Sequence, residues 1–341
     1  MPSSNHDSHT TPGADSGRKA RARSYSYSLF SRLFLSPITT EILPYLQAVD
    51  DLRAALPQAI NLEELAADHH QLFAFNVFPY EAVFLDDSGL LGGAVTDAVR
   101  RRYQQAAYRV DDTASSPDHI GHELGLLAFL SAAEADAHED RELQHVHRLR
   151  RQQSEFLEHH LMRWLPPLTL ALRAHQLPFY ARVGQMTLQL AQEQMTDLHG
   201  SAPRTPEPLP PAPQPLQDSE STLSEIAAFL VTPLHSGLYL SRETIGALAR
   251  DLDLPRGFGS RKQLLLNTLR SAAQYERLEA FLDALQALAT EWADGLASVA
   301  SGPSAPFAAM WQERVITTRN MLRDMQAQRE THAQSEYNRP E

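Results

Sequence analysis

The chain has 341 residues, of which 43% are apolar, so it is long enough to bury a substantial hydrophobic core. Its 30 basic and 42 acidic side chains give a formal net charge of -12, which argues against a polycationic surface for nucleic acid or membrane. The absence of cysteine excludes disulfides, thiol nucleophiles, cysteine zinc sites and iron–sulfur ligation. No apolar run approaches the roughly 18 residues that span a bilayer, and residues 36–41 are too polar for the core of an export signal. We therefore expect a cytoplasmic protein without stable membrane insertion.

The first hundred residues show helical spacing interrupted by one loop. Residues 1–22 are polar and are expected to form a disordered tail. An apolar stripe from Tyr25 to Phe34 predicts a first helix. The residues Asn61 to Glu64 form a capping-box pattern that opens a helix running to about Phe75. Residues 76–93 break the pattern, with glycines and aspartates among large apolar residues, and predict a structured loop.

The rest of the chain predicts more helices on either side of a proline-rich segment. Helices are expected from 94 to 108, from Pro117 onward, over 139–165 as one long charged helix that ends at Pro166-Pro167, and from 178 to about 198. Residues 199–218 are too rich in proline for a helix or a paired strand and predict a semi-rigid linker. The fold class is all-α. The expected division is a tail (1–22), a first helical domain (23–198), the linker (199–218), a second helical region (219–331) and a polar tail (332–341).

Candidate chemistry is sparse. His119 and His122 have the spacing of a metal pair on one helix, but the sequence indicates no third ligand, so we expect no metal and no cofactor. The pairs His69-His70 and His159-His160 are expected on solvated helix faces. No nucleophile elbow is present, so the chain is predicted not to be an enzyme. Residues 241–249 resemble the first helix of a helix-turn-helix, which leaves a DNA-binding regulator or adaptor as the alternative function.

Two segments carry a resemblance to a known family. The first is Phe78-Pro79-Tyr80-Glu81-Ala82-Val83-Phe84-Leu85, followed by Leu90-Leu91-Gly92-Gly93, and it resembles the "PYESVY" loop of the TorD/DmsD-type chaperones of molybdoenzymes. The second is Ser115-Ser116-Pro117-Asp118-His119-Ile120, which resembles their "E-x-P-D-H" element. Here Ser115 and Ser116 stand where the family often has an acidic residue. The resemblance covers residues 24 to about 198, and the region after the linker is not recognised.

The resemblance implies an all-helical cytoplasmic chaperone. Such proteins bind the twin-arginine signal peptide and the apo form of a molybdopterin-containing reductase of the DMSO reductase type, assist cofactor insertion and prevent premature export. Carried over residue by residue, it places Pro79, Tyr80, Glu81, Pro117, Asp118 and His119 along a peptide-binding cleft. The C-terminal region could then pack on the first domain, contact the client or mediate self-association.

The chemistry of these residues fits a ligand with two arginines and an apolar stretch. Glu81, Asp118 and Glu123 supply carboxylates that can receive guanidinium groups. Phe78, Tyr80 and Phe84 supply apolar surface. The alternative interpretation is that Tyr80 and Phe84 are core residues and that Asp118 is a carboxylate favoured by the dipole at a helix N-terminus.

Overall fold

The computed structural model describes residues 12–110, 115–200, 205–215, 220–255 and 257–337, with side chains from 15 to 327. The helices before the proline-rich segment are α1 (Pro12–Leu35), α2 (Leu43–Ala48), α3 (Asp50–Ala55), α4 (Leu62–His70), α5 (Glu81–Leu85), α6 (Gly93–Gln105), α7 (Ile120–Glu139), α8 (Leu143–Phe156), α9 (Met162–Arg173) and α10 (Pro178–His199). Those after it are α11 (Leu223–Val231), α12 (Pro233–Ser236), α13 (Arg242–Asp251), α14 (Arg261–Gln274), α15 (Leu278–Val299) and α16 (Ala305–Tyr337). The all-α prediction is confirmed, and across these residues extended pairing is limited to one isolated bridge between Tyr80 and His119.

The first and last helices are longer than the sequence predicts. Helix α1 begins at Pro12, so residues 12–22 of the expected tail are helical, while residues 1–11 lie outside the described residues. The charges that made this stretch look like a tail are paired: Asp15 contacts both Arg18 and Lys19 at helical spacing. At the other end α16 continues to Tyr337, through most of the predicted polar tail, and residues 338–341 are not described.

The predicted long helix over 139–165 is present with other bounds: it starts at Leu143 and continues through a π-helical turn to Arg173. Helix α7 ends at Glu139, α8 follows, and a π-helical turn at Leu157–Leu161 leads into α9. Pro166 and Pro167 are buried inside α9 and do not end it. A proline at 167 has no N–H to give the carbonyl four residues earlier, so the Arg163 carbonyl is left without its helical partner. The indole N–H of Trp311, on α16, donates to that carbonyl at 2.6 Å.

The two sides of the proline-rich segment share one hydrophobic core. Helices α15 and α16 both pack on α9, and α12 packs on α5. The described part of the segment, 205–215, is without helix and lies on this body: Leu209 packs against the core, and Arg314 donates to the Pro210 carbonyl. The C-terminal region therefore packs on the first region, which decides one of the three alternatives that the sequence left open. The boundaries of the two regions remain predictions.

No helix of the described chain combines the length and the apolar character needed to cross a membrane.

Candidate functional site

The two sequence motifs meet in the structure and are joined by backbone and side-chain hydrogen bonds. The Glu81 N–H donates to the Asp118 carbonyl, and the Ile120 N–H donates to the Pro79 carbonyl, both at 2.9 Å. The Asp118 carboxylate also accepts the Ala82 N–H at 3.0 Å. These hydrogen bonds join residues 36 positions or more apart, such as Ala82 and Asp118, and they place the first residues of α5 and α7 side by side.

Asp118 and His119 act as helix caps. The Asp118 side chain is fully buried; one oxygen receives the N–H of Ala82 in the first turn of α5, and the other receives the Ser116 hydroxyl. His119 precedes α7, and its Nδ1 accepts the Gly121 N–H at 3.0 Å. A histidine whose Nδ1 accepts a hydrogen bond has no proton on that nitrogen, so the ring is uncharged. Burial also favours the uncharged ring and lowers the pKa of His119 to about 3. Both residues therefore have structural roles, which use both carboxylate oxygens of Asp118 and the Nδ1 of His119.

A carboxyl cluster lies directly beneath this junction. Glu81 is buried against His160, whose Nδ1 lies 3.0 Å from its carboxylate. Glu123 is fully buried and receives the indole N–H of Trp164 at 3.3 Å. Burial raises the pKa of Glu123 well above its usual range, and the neighbouring carboxylates of Glu81 and Asp118 raise it further. Burial beside two other carboxylates therefore favours the neutral form of Glu123.

Tyr103 closes one side of the cluster. Its hydroxyl donates to the Pro117 carbonyl at 2.7 Å. Burial, together with the nearby Glu123 carboxyl, holds the pKa of Tyr103 well above its usual value, so the phenol stays neutral. The hydrogen bond from Tyr103 thus holds Pro117 against α6.

Tyr239, from the C-terminal region, covers the other side of the cluster. The rings of Phe84 and Tyr239 are stacked at 5.2 Å, and Phe84 also contacts Trp164. The Tyr239 hydroxyl donates to the Asn76 carbonyl at 3.0 Å and accepts the Phe78 N–H at 2.9 Å. The loop that contains the first motif is therefore held by a residue more than 150 positions later.

All nine residues selected from the sequence come together, but not as an open cleft. Phe78 and Tyr80 are half-buried; the other seven are buried, namely Pro79, Glu81, Phe84, Pro117, Asp118, His119 and Glu123. The three carboxylates that were expected to face a ligand are inside the protein. The alternative interpretation of Phe84 as a core residue and of Asp118 as a carboxylate at the start of a helix describes their contacts better.

Sequence reasoning missed the supporting residues His160, Trp164, Tyr103 and Tyr239. His160 is buried, whereas His159 beside it is exposed, so the prediction of two solvated histidines is wrong for His160. Its position four residues after Phe156 was a usable signal, because that spacing places both on one face, and the two rings are stacked at 5.0 Å. His69 is buried as well. No local signal pointed to Tyr239.

The described residues contain no group of three or more histidine or carboxylate side chains arranged to hold a metal. His119 and His122 do not converge on a shared ion, since the Nδ1 of His119 caps α7 and the Nε2 of His122 lies 2.7 Å from the Ser115 hydroxyl.

The joined motifs lie in an all-α frame, and the N-terminal region resembles the TorD/DmsD type in comparisons with known proteins. Residues 44–169 match the family described as nitrate reductase delta subunit. Chaperone protein TorD of Vibrio parahaemolyticus serotype O3:K6 (strain RIMD 2210633) is 25% identical over 131 residues. That match covers 37% of this chain and 60% of the relative, so the chain spans less than two thirds of the relative's length. The resemblance to TorD/DmsD-type chaperones is confirmed, and the family match ends inside α9.

Proposed function

We propose that this protein is a chaperone for the maturation of a molybdopterin-containing oxidoreductase. It binds the twin-arginine leader and the apo form of a reductase of the DMSO reductase type, assists cofactor insertion and delays export. The observation that carries the proposal is the junction of the two motifs, in which Asp118 caps the helix that the first motif begins. Two short motifs that matched by chance would not be expected to lie in hydrogen-bonded contact in the folded chain.

The proposal assigns different roles to six of the nine site residues. Asp118 and His119 give the junction its shape, because one Asp118 oxygen caps α5 and the Nδ1 of His119 caps α7. Phe78 and Tyr80, which are half-buried, offer apolar contact to a leader peptide at the surface. Glu81 and Glu123 would receive a guanidinium group only when the side chains over the carboxyl cluster move aside.

The protein is proposed to act in the cytoplasm without catalysing a reaction and without a cofactor. The matches to TorD-type proteins do not favour the DNA-binding alternative. In the structure, nine residues, 252–260, separate α13 from α14, where a helix-turn-helix uses about three or four.

The test is a titration of labelled leader peptides from molybdoenzymes into the full chain. The matched control peptide carries glutamine in place of both arginines, and we expect it to bind at least about tenfold more weakly, since each charge-assisted contact contributes roughly 1.5–3 kcal/mol. Failure of every leader and of the apo-reductase to bind would refute the proposed function.

Two isosteric variants test the carboxylates. If Glu81 or Asp118 receives an arginine, Glu81→Gln and Asp118→Asn will weaken leader binding about tenfold while the far-ultraviolet circular dichroism stays native. If both variants bind like the wild type, the chaperone function stands and these two carboxylates are structural only.

A further inference from the structure

The backbone shape of residues 205–215, the described part of the proline-rich segment, follows from their composition. Six of these eleven residues are proline, and each of the others stands directly before a proline. A proline ring holds φ at about −65°, and the residue before a proline is restricted to extended or polyproline II conformations. These constraints favour a polyproline II helix, which has three residues per turn. We call residues 205–215 the strap.

The burial of the strap has the same period of three. Pro206, Leu209 and Ala212 are half-buried and Pro215 is buried, whereas the other seven residues of the strap are exposed. Leu209 and Ala212 pack against the hydrophobic core. One face of the polyproline helix therefore lies on the protein, and its two other faces point to solvent.

Polar contacts hold the strap in this orientation. A guanidinium nitrogen of Arg163, on α9, lies 3.3 Å from the Glu207 carboxylate. Arg314, on α16, donates to the carbonyl of Pro210 and to that of Leu234 on α12. Because the strap is already ordered, a partner that binds its outer faces loses little free energy in fixing its conformation.

The outer faces carry prolines at the spacing of a Pro-x-x-Pro motif. Pro208 and Pro211 lie on one outer face, and Pro210 and Pro213 lie on the other. At a rise of about 3.1 Å per residue, these four prolines span about 16 Å. Glu207 is the one charged residue of the strap and is paired with Arg163, so the outer faces present proline rings and carbonyl oxygens rather than free charge.

This chemistry selects one kind of partner. Proline has no backbone N–H, so the strap does not pair along its length with the edge of a sheet. Grooves lined by aromatic side chains bind Pro-x-x-Pro helices, and the polar groups of tyrosine and tryptophan there can donate to the exposed carbonyls. A second copy of this chain offers no tryptophan for such a groove, because Trp164, Trp292 and Trp311 are all buried.

We propose that the strap is a docking site for a domain of another protein that binds polyproline II helices in an aromatic-lined groove, as SH3 and WW domains do. The groove reads the outer prolines and no leucine, because Leu209 faces the protein. The inference does not depend on the proposed function, because the strap lies outside the two motifs.

The test is a titration of the full chain into three isotope-labelled domains, an SH3, a WW and an EVH1 domain, followed by their amide resonances. We expect saturable shifts at the aromatic groove of at least one domain. A synthetic peptide of residues 205–215, with all three faces free, is titrated in parallel. Binding of the peptide but not of the full chain would overturn the proposal, as would the absence of binding to all three domains.

Variants of the full chain, each first checked for native helicity, locate the contact. Pro211→Ala removes an outer ring and should weaken binding at least about tenfold. The matched control Pro206→Ala removes a proline of the inner face and should change binding less than about twofold. Wild-type affinity of Pro211→Ala would refute the assignment.

Two further measurements separate this proposal from its alternatives. Leu209→Asp removes the apolar contact that holds the strap on the protein, and it should not strengthen binding. Tighter binding would mean that the strap is read only after release, and a stable dimer that Pro211→Ala dissociates would assign it to a second copy; either result would overturn the proposal. Pro211→Ala should bind a molybdoenzyme leader as the wild type does, so the proposed function and this inference can fail separately.

Discussion

Replacing Asp118 by alanine tests whether the junction of the two motifs is held by its carboxylate. The substitution removes the acceptor of the Ala82 N–H and of the Ser116 hydroxyl, both in the buried junction. A buried donor left without an acceptor costs about 1–3 kcal/mol, and the second lost hydrogen bond about 1 kcal/mol more. Removing a negative charge beside Glu81 and Glu123 reduces the repulsion among these carboxylates and offsets part of the lost free energy. We expect a net loss of about 2–3 kcal/mol in the free energy of unfolding.

The thermal shift follows from the length of the chain. An unfolding entropy of about 2.1 cal/mol/K per residue gives roughly 0.7 kcal/mol/K for a chain of this size. A loss of 2–3 kcal/mol then lowers Tm by about 3–4 °C. The measurement is thermal unfolding followed by circular dichroism at 222 nm and pH 7, at one protein concentration for all variants.

Two controls separate the cap from the charge. Asp118→Asn keeps an amide oxygen for the Ala82 N–H and an NH₂ group for Ser116, so its Tm should fall by about 1 °C or less. Asp97→Ala removes an exposed carboxylate on α6 that pairs with Arg100 at helical spacing, and it should change stability by less than about 0.5 kcal/mol. If Asp118→Ala unfolds within 1 °C of the wild type, or if the asparagine variant loses as much as the alanine variant, the reasoning about the cap is wrong.

Three further outcomes are expected. The raised pKa of Glu123 means that the folded state holds a proton that the unfolded state has released, so the free energy of unfolding decreases as pH rises above the usual pKa of a glutamate. Glutamine does not titrate, so Glu123→Gln should raise Tm more at pH 8 than at pH 5. An equal shift of Tm at both pH values would contradict this. The lowered pKa of His119, about 3, gives stability the opposite pH dependence, because the unfolded histidine takes up a proton as pH falls below about 6.5 and the folded one does not. The variant His119→Asn retains a cap for α7, and its Tm should fall less between pH 6.5 and pH 4 than the Tm of the wild type. Trp311→Phe leaves the Arg163 carbonyl without a donor and should cost about 1–3 kcal/mol in urea unfolding, clearly more than Trp292→Phe, for which the structure gives no hydrogen bond of this kind.

The sequence predicted those features that depend on neighbours along the chain. Helical periodicity identified the all-α class, and the capping pattern at Asn61 gives an N-cap whose side chain accepts the N–H groups of Glu63 and Glu64. The two short motifs predicted that nine residues would lie together, and the structure brings them together; their role as a binding site stays a prediction. The order of the two motifs was informative because the resemblance rests on both motifs occurring in that order among predicted helices.

The sequence did not show which way those residues face. Burial of Glu81 depends on His160, and burial of Phe84 depends on Tyr239, and neither contact is local. Pro166 and Pro167 predict a helix end because a proline removes a helical hydrogen bond. The structure keeps the helix through them by supplying Trp311 from 148 positions away, which no local pattern can indicate.

The contact between Trp311 and Arg163 sets a delay during synthesis of the chain. A ribosome adds about 5–20 residues each second, so the 148 residues between the two partners take roughly 7–30 s to make. For that time the newly made α9 lacks a donor for one carbonyl, and Phe84 lacks the ring of Tyr239 for part of it. We therefore expect the first region to leave the ribosome without the helices that cover α5 and α9, and its core to be completed only after α16 has emerged.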